Sequence, residues 1–143
     1  MWLLLALAQA PSTDSAIGDW LTEDKKAVIQ LAPCATDPAR LCGTIARILP
    51  PADAAASDDH NPDPHLRQRR VLGMTILTGF RLTPSNGPCP WQAGKAYDPE
   101  AGVTHTDIQL CLTDKDHLVL SKALHFGPFS SDISRQTWQK LPK

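Results

Sequence analysis

The 143-residue sequence lacks an excess of either charge, with 14 Lys and Arg against 15 Asp and Glu. It has no basic stripe and few aromatics, only 6% of residues, which argues against nucleic acid as a partner, because phosphate backbones select clustered Lys and Arg. No apolar run is long enough to span a bilayer as a helix, so no stable membrane insertion is expected. There is no C-x-x-C pair, and no His stands at ligand spacing from a Cys, which removes the common zinc modules. No long amphipathic helical period is present. No Ser or Cys nucleophile can be placed beside a base, so no catalytic residues, no enzyme activity and no cofactor are expected.

What is present is punctuation. Thirteen prolines and eight glycines divide short apolar runs, as in a chain of many short strands. Strands are predicted at 18–21, 27–31, 41–49, 71–80, 91–97, 103–112, 117–124 and 135–141. About eight strands, mostly joined as hairpins and even in number, favour a single antiparallel β-barrel over a sandwich. The strand 71–80 is expected to turn Leu72, Met74, Ile76 and Phe80 to the core, with Gly73 and Gly79 on the other face. In 103–112, Ile108, Leu110 and Leu112 alternate with His105, Asp107, Gln109 and Cys111. A barrel of this size holds one small ligand or fills with side chains.

Residues 1–8 carry an apolar core followed by small residues at Ala6 and Ala8, which predicts a secretory signal peptide cut after Ala8. The missing basic residues before that core lead to the expectation of a start further upstream. Residues 17–143 form the expected domain, and its destination is periplasmic or secreted. The cysteines agree with export. Cys34 and Cys42 flank a turn at Asp37-Pro38, and pairing Tyr97 with Val103 sets Cys89 opposite Cys111. Opposed residues on neighbouring antiparallel strands are close enough to bridge. Two disulfides are the leading reading; one bridge, or free buried thiols, are the alternatives.

The polar residues concentrate at 58–73, a proline-locked turn leading into an apolar strand. Asp59-x-Asn61-x-Asp63 resembles the opening of a calcium loop. The rest fails, with Pro64 where Gly is needed and Arg70 where the bidentate Glu belongs. A structural turn is the better reading, with Asn61 and Asp63 accepting from local backbone N–H groups. His60 and His65 beside Asp58 or Asp59 make a weaker metal candidate, and no metal site is expected. Arg67 and Arg69 should share a face, where they either pair with Asp58, Asp59 or Asp63, or hold an anionic head group at the barrel mouth. His105 and Asp107, two apart, are better explained as part of a polar outer face than as an acid–base pair.

Several pieces, in order along most of the chain, resemble the domain of unknown function 2147 family. These are Gly18-Asp19-Trp20, Leu41-Cys42-Gly43-Thr44-Ile45, Asp59-His60-Asn61-Pro62-Asp63-Pro64 with Leu66-Arg67-Gln68-Arg69, and Leu72-Gly73. They continue as Trp91-Gln92-Ala93-Gly94-Lys95-Ala96-Tyr97-Asp98-Pro99 through Gly102, and close with Arg135-Gln136-Thr137-Trp138. The resemblance implies an exported bacterial protein with a lipocalin-like barrel, and no reaction. In such barrels the Gly-x-Trp of the first strand closes one end, with a basic side chain over the indole; Trp20 and Arg135 or Lys140 fit that role, and Trp138 is structural too. His105 and Lys140 depart from the family pattern, and 126–134 lacks a cysteine often found there.

The expectation is therefore a protein that binds a small, partly apolar ligand, with a small apolar or anionic molecule as its partner. Arg67, Arg69, Met74, Ile76 and Tyr97 are the candidate ligand residues, and Leu72, Ile108 and Leu110 supply further wall or core. The alternative is a non-catalytic structural or interaction module of the cell envelope, with a filled barrel and no protein partner named by the sequence.

Overall fold

A computed structural model describes residues 13–122 and 135–142. The signal-peptide reading over 1–8 and the loop 126–134 lie outside the described residues. Eight antiparallel strands close into a barrel, each bonded to its neighbours in sequence: β1 (Gly18–Leu21), β2 (Ala27–Pro33), β3 (Arg40–Ile48), β4 (Thr75–Leu82), β5 (Trp91–Asp98), β6 (Val103–Asp114), β7 (His117–Lys122) and β8 (Gln136–Lys140). β8 returns to pair with β1, through Trp20↔Lys140 and Leu21↔Gln139. A meander fixes which connections share an end. The turns 22–26 and 99–102 and the long segment 49–74 lie at one end; the connections 34–39, 83–90 and 115–116 lie at the other.

The second end is closed by side chains. Trp20, Leu31, Leu41, Phe80, Trp91, Leu110 and Leu118 are fully buried there or nearly so. A short helix, α1 (Thr13–Ala16), precedes β1. Its Ala16 carbonyl accepts from Trp20 Nε1 at 2.9 Å, and Ala16 joins the core. Lys140 lies 5.5 Å over the Trp20 ring, the basic partner foreseen, whereas Arg135 is exposed. Gly94 permits the packing, since a Cβ there would run into the Phe80 ring. Both disulfides, Cys34–Cys42 and Cys89–Cys111, pin loops of this end.

Three local expectations are corrected. First, the strand predicted from residue 71 starts at Thr75. Gly73 adopts a φ of 87°, a left-handed bend that glycine alone accepts freely. The preceding residues still bond to β3 through Gly73 N to Ile45 O and Met74 O from Ile45 N. Second, that bend takes Leu72 off the core face and leaves it exposed, while Leu77 and Phe80 become the buried residues of β4. Gly79, at φ 73°, accounts for the three-residue step between them. Third, Tyr97 pairs with Thr104, and Asp98 with Val103. β5 and β6 carry two register shifts, near Ala93 and Asp107 with their positive φ, but these cancel, and Trp91 pairs with Leu110 at the same one-residue offset.

Candidate functional site

The end of the barrel opposite the disulfides holds a cavity of about 760 Å³. Its walls include Ile29, Ile45, Ile76, Leu77, Ile108 and Trp138, from five different strands. Above them sit the turns 22–26 and 98–102 and parts of 52–60. Alternation explains the lining: inward positions of the strands are apolar, and at this end the residues facing one another are aliphatic and leave the lumen unfilled.

The segment 49–74 covers one side of the mouth as a self-paired excursion. Val71 N donates to Ala56 O at 3.0 Å and Asp58 N to Arg69 O at 2.8 Å, with a bridge between Ser57 and Arg70. Within the loop, Asn61 Oδ1 accepts from Asp63 N at 2.8 Å, and Asp63 Oδ1 accepts from His65 N at 3.0 Å, capping the 3₁₀ turn Pro64–Leu66. The alternating Asp59, Asn61 and Asp63 thus spend Asn61 and Asp63 on the backbone, the local use expected of residues that precede proline.

The hub is Asp58, whose side chain is inaccessible to solvent. Oδ1 accepts from Tyr97 Oη at 2.6 Å; Oδ2 accepts from Asn61 Nδ2 at 2.7 Å and Arg69 Nη2 at 3.1 Å. Burial pushes the carboxyl up, but the bonds from Tyr97, Asn61 and Arg69, with the Arg69 charge, outweigh it and hold Asp58 below its ordinary value. Burial, and next the bond to the Asp58 carboxylate, push the Tyr97 hydroxyl up to about 12. Tyr97 therefore remains a hydrogen-bond donor throughout the physiological range. This clasp, 49–74, is tied to the rest of the barrel by the Tyr97 phenol, by Leu49 N donating to Lys26 O at 2.8 Å at its N-terminal end, and by the backbone bonds at Gly73 and Met74 at its C-terminal end. Gly102 adds steric fixation: its φ is 67°, and a Cβ would collide with the His60 carbonyl.

Of the five candidate ligand residues, Ile76 and Tyr97 line the main cavity. Arg69, Ile76 and Tyr97 also border a smaller hollow of about 310 Å³, with Leu66 and Lys95. Arg67 donates Nε to Asn61 O at 2.8 Å, and Arg69 is paired with Asp58; neither is among the residues lining the main cavity. Met74 is buried under the clasp, its sulfur 3.7 Å from Arg69 Nη2. His60 and His105 border the cavity, whereas Asp107 and Gln109 diverge from His105 at the register shift. Gln109 bonds Gln92 at 3.0 Å and Ser121 at 3.2 Å. Sequence reasoning named Asp58 only as one of several acids and missed its bond to Tyr97, 39 residues away. The signal available was slight: one acid adjoining a rigid turn, and the only Tyr in the chain.

Comparison with known proteins agrees with this architecture. A family model described as an uncharacterized protein conserved in bacteria, DUF2147, matches residues 18–140. No curated protein matches the chain. Among solved structures, protein HP1028 from the human pathogen Helicobacter pylori, described as belonging to the lipocalin family, superposes with a TM-score of 0.69 at 18% identity, over 88% of this chain and 82% of that one. At that identity the likeness is one of fold.

Proposed function

The chain belongs to the DUF2147 family of uncharacterized bacterial proteins, and on that premise we propose that it is an exported, non-catalytic protein that holds a small, partly apolar molecule in the open end of its lipocalin-like barrel. The cavity carries this reading. Its volume of about 760 Å³ falls within the ~300–1,000 Å³ of small-molecule sites. Its apolar walls match a site that gains affinity by burying hydrocarbon. Ile76 and Tyr97 touch the ligand in this reading, while Arg67, Arg69 and Met74 act through the clasp that frames the mouth. An unfilled lumen favours this over a module whose interior is packed shut. Export to the periplasm or beyond is supported by two disulfides, which persist in oxidising compartments, and by the signal-like segment 1–8.

Native mass spectrometry of the purified protein, before and after solvent extraction, tests the proposal. A retained apolar molecule, or one taken up again by the extracted protein, is the expected result. If the protein emerges empty and takes up no apolar compound offered, the binding reading is wrong.

A further inference from the structure

We propose that the cavity prefers molecules with a cationic head group, an ammonium joined to an apolar body, over those that end in a carboxylate. This deepens the binding reading above and rests on it. The apolar depth of the cavity, with Ile45, Leu77, Ile108 and Trp138, accommodates the body. The charge at its mouth decides the head.

Asp24, Asp53, Asp59, Asp98 and Glu100 border the cavity, against Lys26 and Lys122. Lys26 and Glu100 form an ion pair at 3.4 Å, which cancels one of each. Four carboxylates then face one remaining lysine among the described lining residues. Asp58 adds nothing to this balance, because Arg69 neutralises it. Arg67 and Arg69, the sequence's best candidates for holding an anion, do not line this cavity.

The acids keep capacity for a ligand. Asp24, Asp53 and Asp98 each accept through Oδ1 from nearby N–H or hydroxyl groups of their own turns, at 2.7 to 3.0 Å. That fixes the carboxylates in place and leaves Oδ2 of each without a protein hydrogen bond among the described residues. An incoming ammonium meets fixed negative charge beside the Tyr97 side chain, and aromatic rings attract cations. An incoming carboxylate meets like charge, and no arginine fork among the lining residues receives it.

Calorimetric titration of the full chain, solvent-extracted, with three probes of one chain length tests this: dodecyltrimethylammonium, dodecanol and dodecanoate, each below its aggregation limit. At low ionic strength the ammonium should bind about tenfold more tightly than the carboxylate, with the alcohol between. The gap should shrink at ~0.5 M salt, where screening acts over a few ångströms, and in the double variant Asp53→Asn, Asp59→Asn. Dodecanoate binding as well as or better than the ammonium, or a preference unmoved by both salt and the variant, overturns the charge selection and leaves the binding reading intact. Failure of all three probes to bind removes the binding reading and this proposal with it.

Discussion

At the disulfide end of the barrel, Trp20, Phe80 and Trp91 fill the lumen and two covalent bridges hold the loops above them. At the other end, side chains leave the lumen unfilled, and the covering segment is held by hydrogen bonds: Tyr97 to the buried Asp58, which Asn61 and Arg69 brace from within the segment, and backbone bonds at Leu49, Gly73 and Met74. The first end draws on hydrocarbon burial, worth about 25 cal/mol per Å², and on cross-links that act on the unfolded chain. The second draws on hydrogen bonds, each worth a net ~1 kcal/mol or somewhat more when charged. One end can therefore carry the stability of the whole fold while the other opens locally at small cost. The division resembles a sealed base and an adjustable mouth.

Perturbing the base should have the largest effect. Phe80→Ala removes a fully buried ring and should lower unfolding free energy by about 3–5 kcal/mol in urea titrations. A loss under 1 kcal/mol would mean the base is not where stability resides. The bridges come next. On chain entropy alone, Cys89–Cys111, spanning 22 residues, should contribute about 3.4 kcal/mol and Cys34–Cys42, spanning 8, about 0.9 kcal/mol less. Paired Cys→Ala variants measured under the same conditions check both the size and the order.

The mouth should respond differently. Asp58→Asn leaves Arg69 without its counter-charge and weakens the bond from Tyr97, at a cost of about 1–3 kcal/mol. Hydrogen exchange should accelerate across 49–74 while Trp20, Leu110 and Leu118 keep their protection. Equal acceleration at both ends would erase the distinction. The same carboxylate sets an acid limit. Its folded pKa lies below the ordinary 3.8, so its contribution is complete above that value and is lost as pH falls through the lower, folded one. Protection in 49–74, taken relative to the intrinsic exchange rate at each pH, should therefore be steady from neutrality down to about pH 5 and fall in stronger acid, an extra fall that Asp58→Asn abolishes. The smallest expected effect belongs to Lys140→Met. It removes the cation over Trp20 and should cost about 0.5–1 kcal/mol, seen as a slightly lower Tm.

The base was more legible in the sequence than the mouth. Pro/Gly punctuation and alternation located all eight strands, because those signals are local. Gly18-x-Trp20 and its basic partner were readable for the same reason. The start of β4 was misplaced because alternation in 71–74 continues an apolar pattern that the Gly73 bend interrupts; period alone cannot see a positive φ. The Cys89–Cys111 bridge survived a register error of one residue because Cys89 precedes β5, in a connection that the ladder does not hold in register. The mouth depends on a contact between Asp58 and Tyr97 from separate segments, which no spacing rule links. For the arginines the sequence left two readings open, pairing with a nearby aspartate or holding an anion; Arg69 pairs with Asp58 and Arg67 with Asn61 O, both inside the same loop.

The pairing of β1 with β8 has a consequence for how the protein is made. Every other strand finds its neighbours among the segments just before or just after it, so pairing can follow the chain as it emerges. The seam alone joins the first strand to the last, through two paired positions, with Leu141 N bonding Asp19 O at 2.9 Å beside them. Until Gln136–Lys140 is available, a growing sheet carries two unsatisfied edges, the kind of surface that recruits other chains. Closing it is the longest-range step of the topology and the slowest expected by loop-closure entropy. Loss of the last strand should leave an open, self-associating sheet rather than a smaller barrel. For this fold, the interval between the pairing of β7 and the arrival of β8 is when a chaperone would matter most.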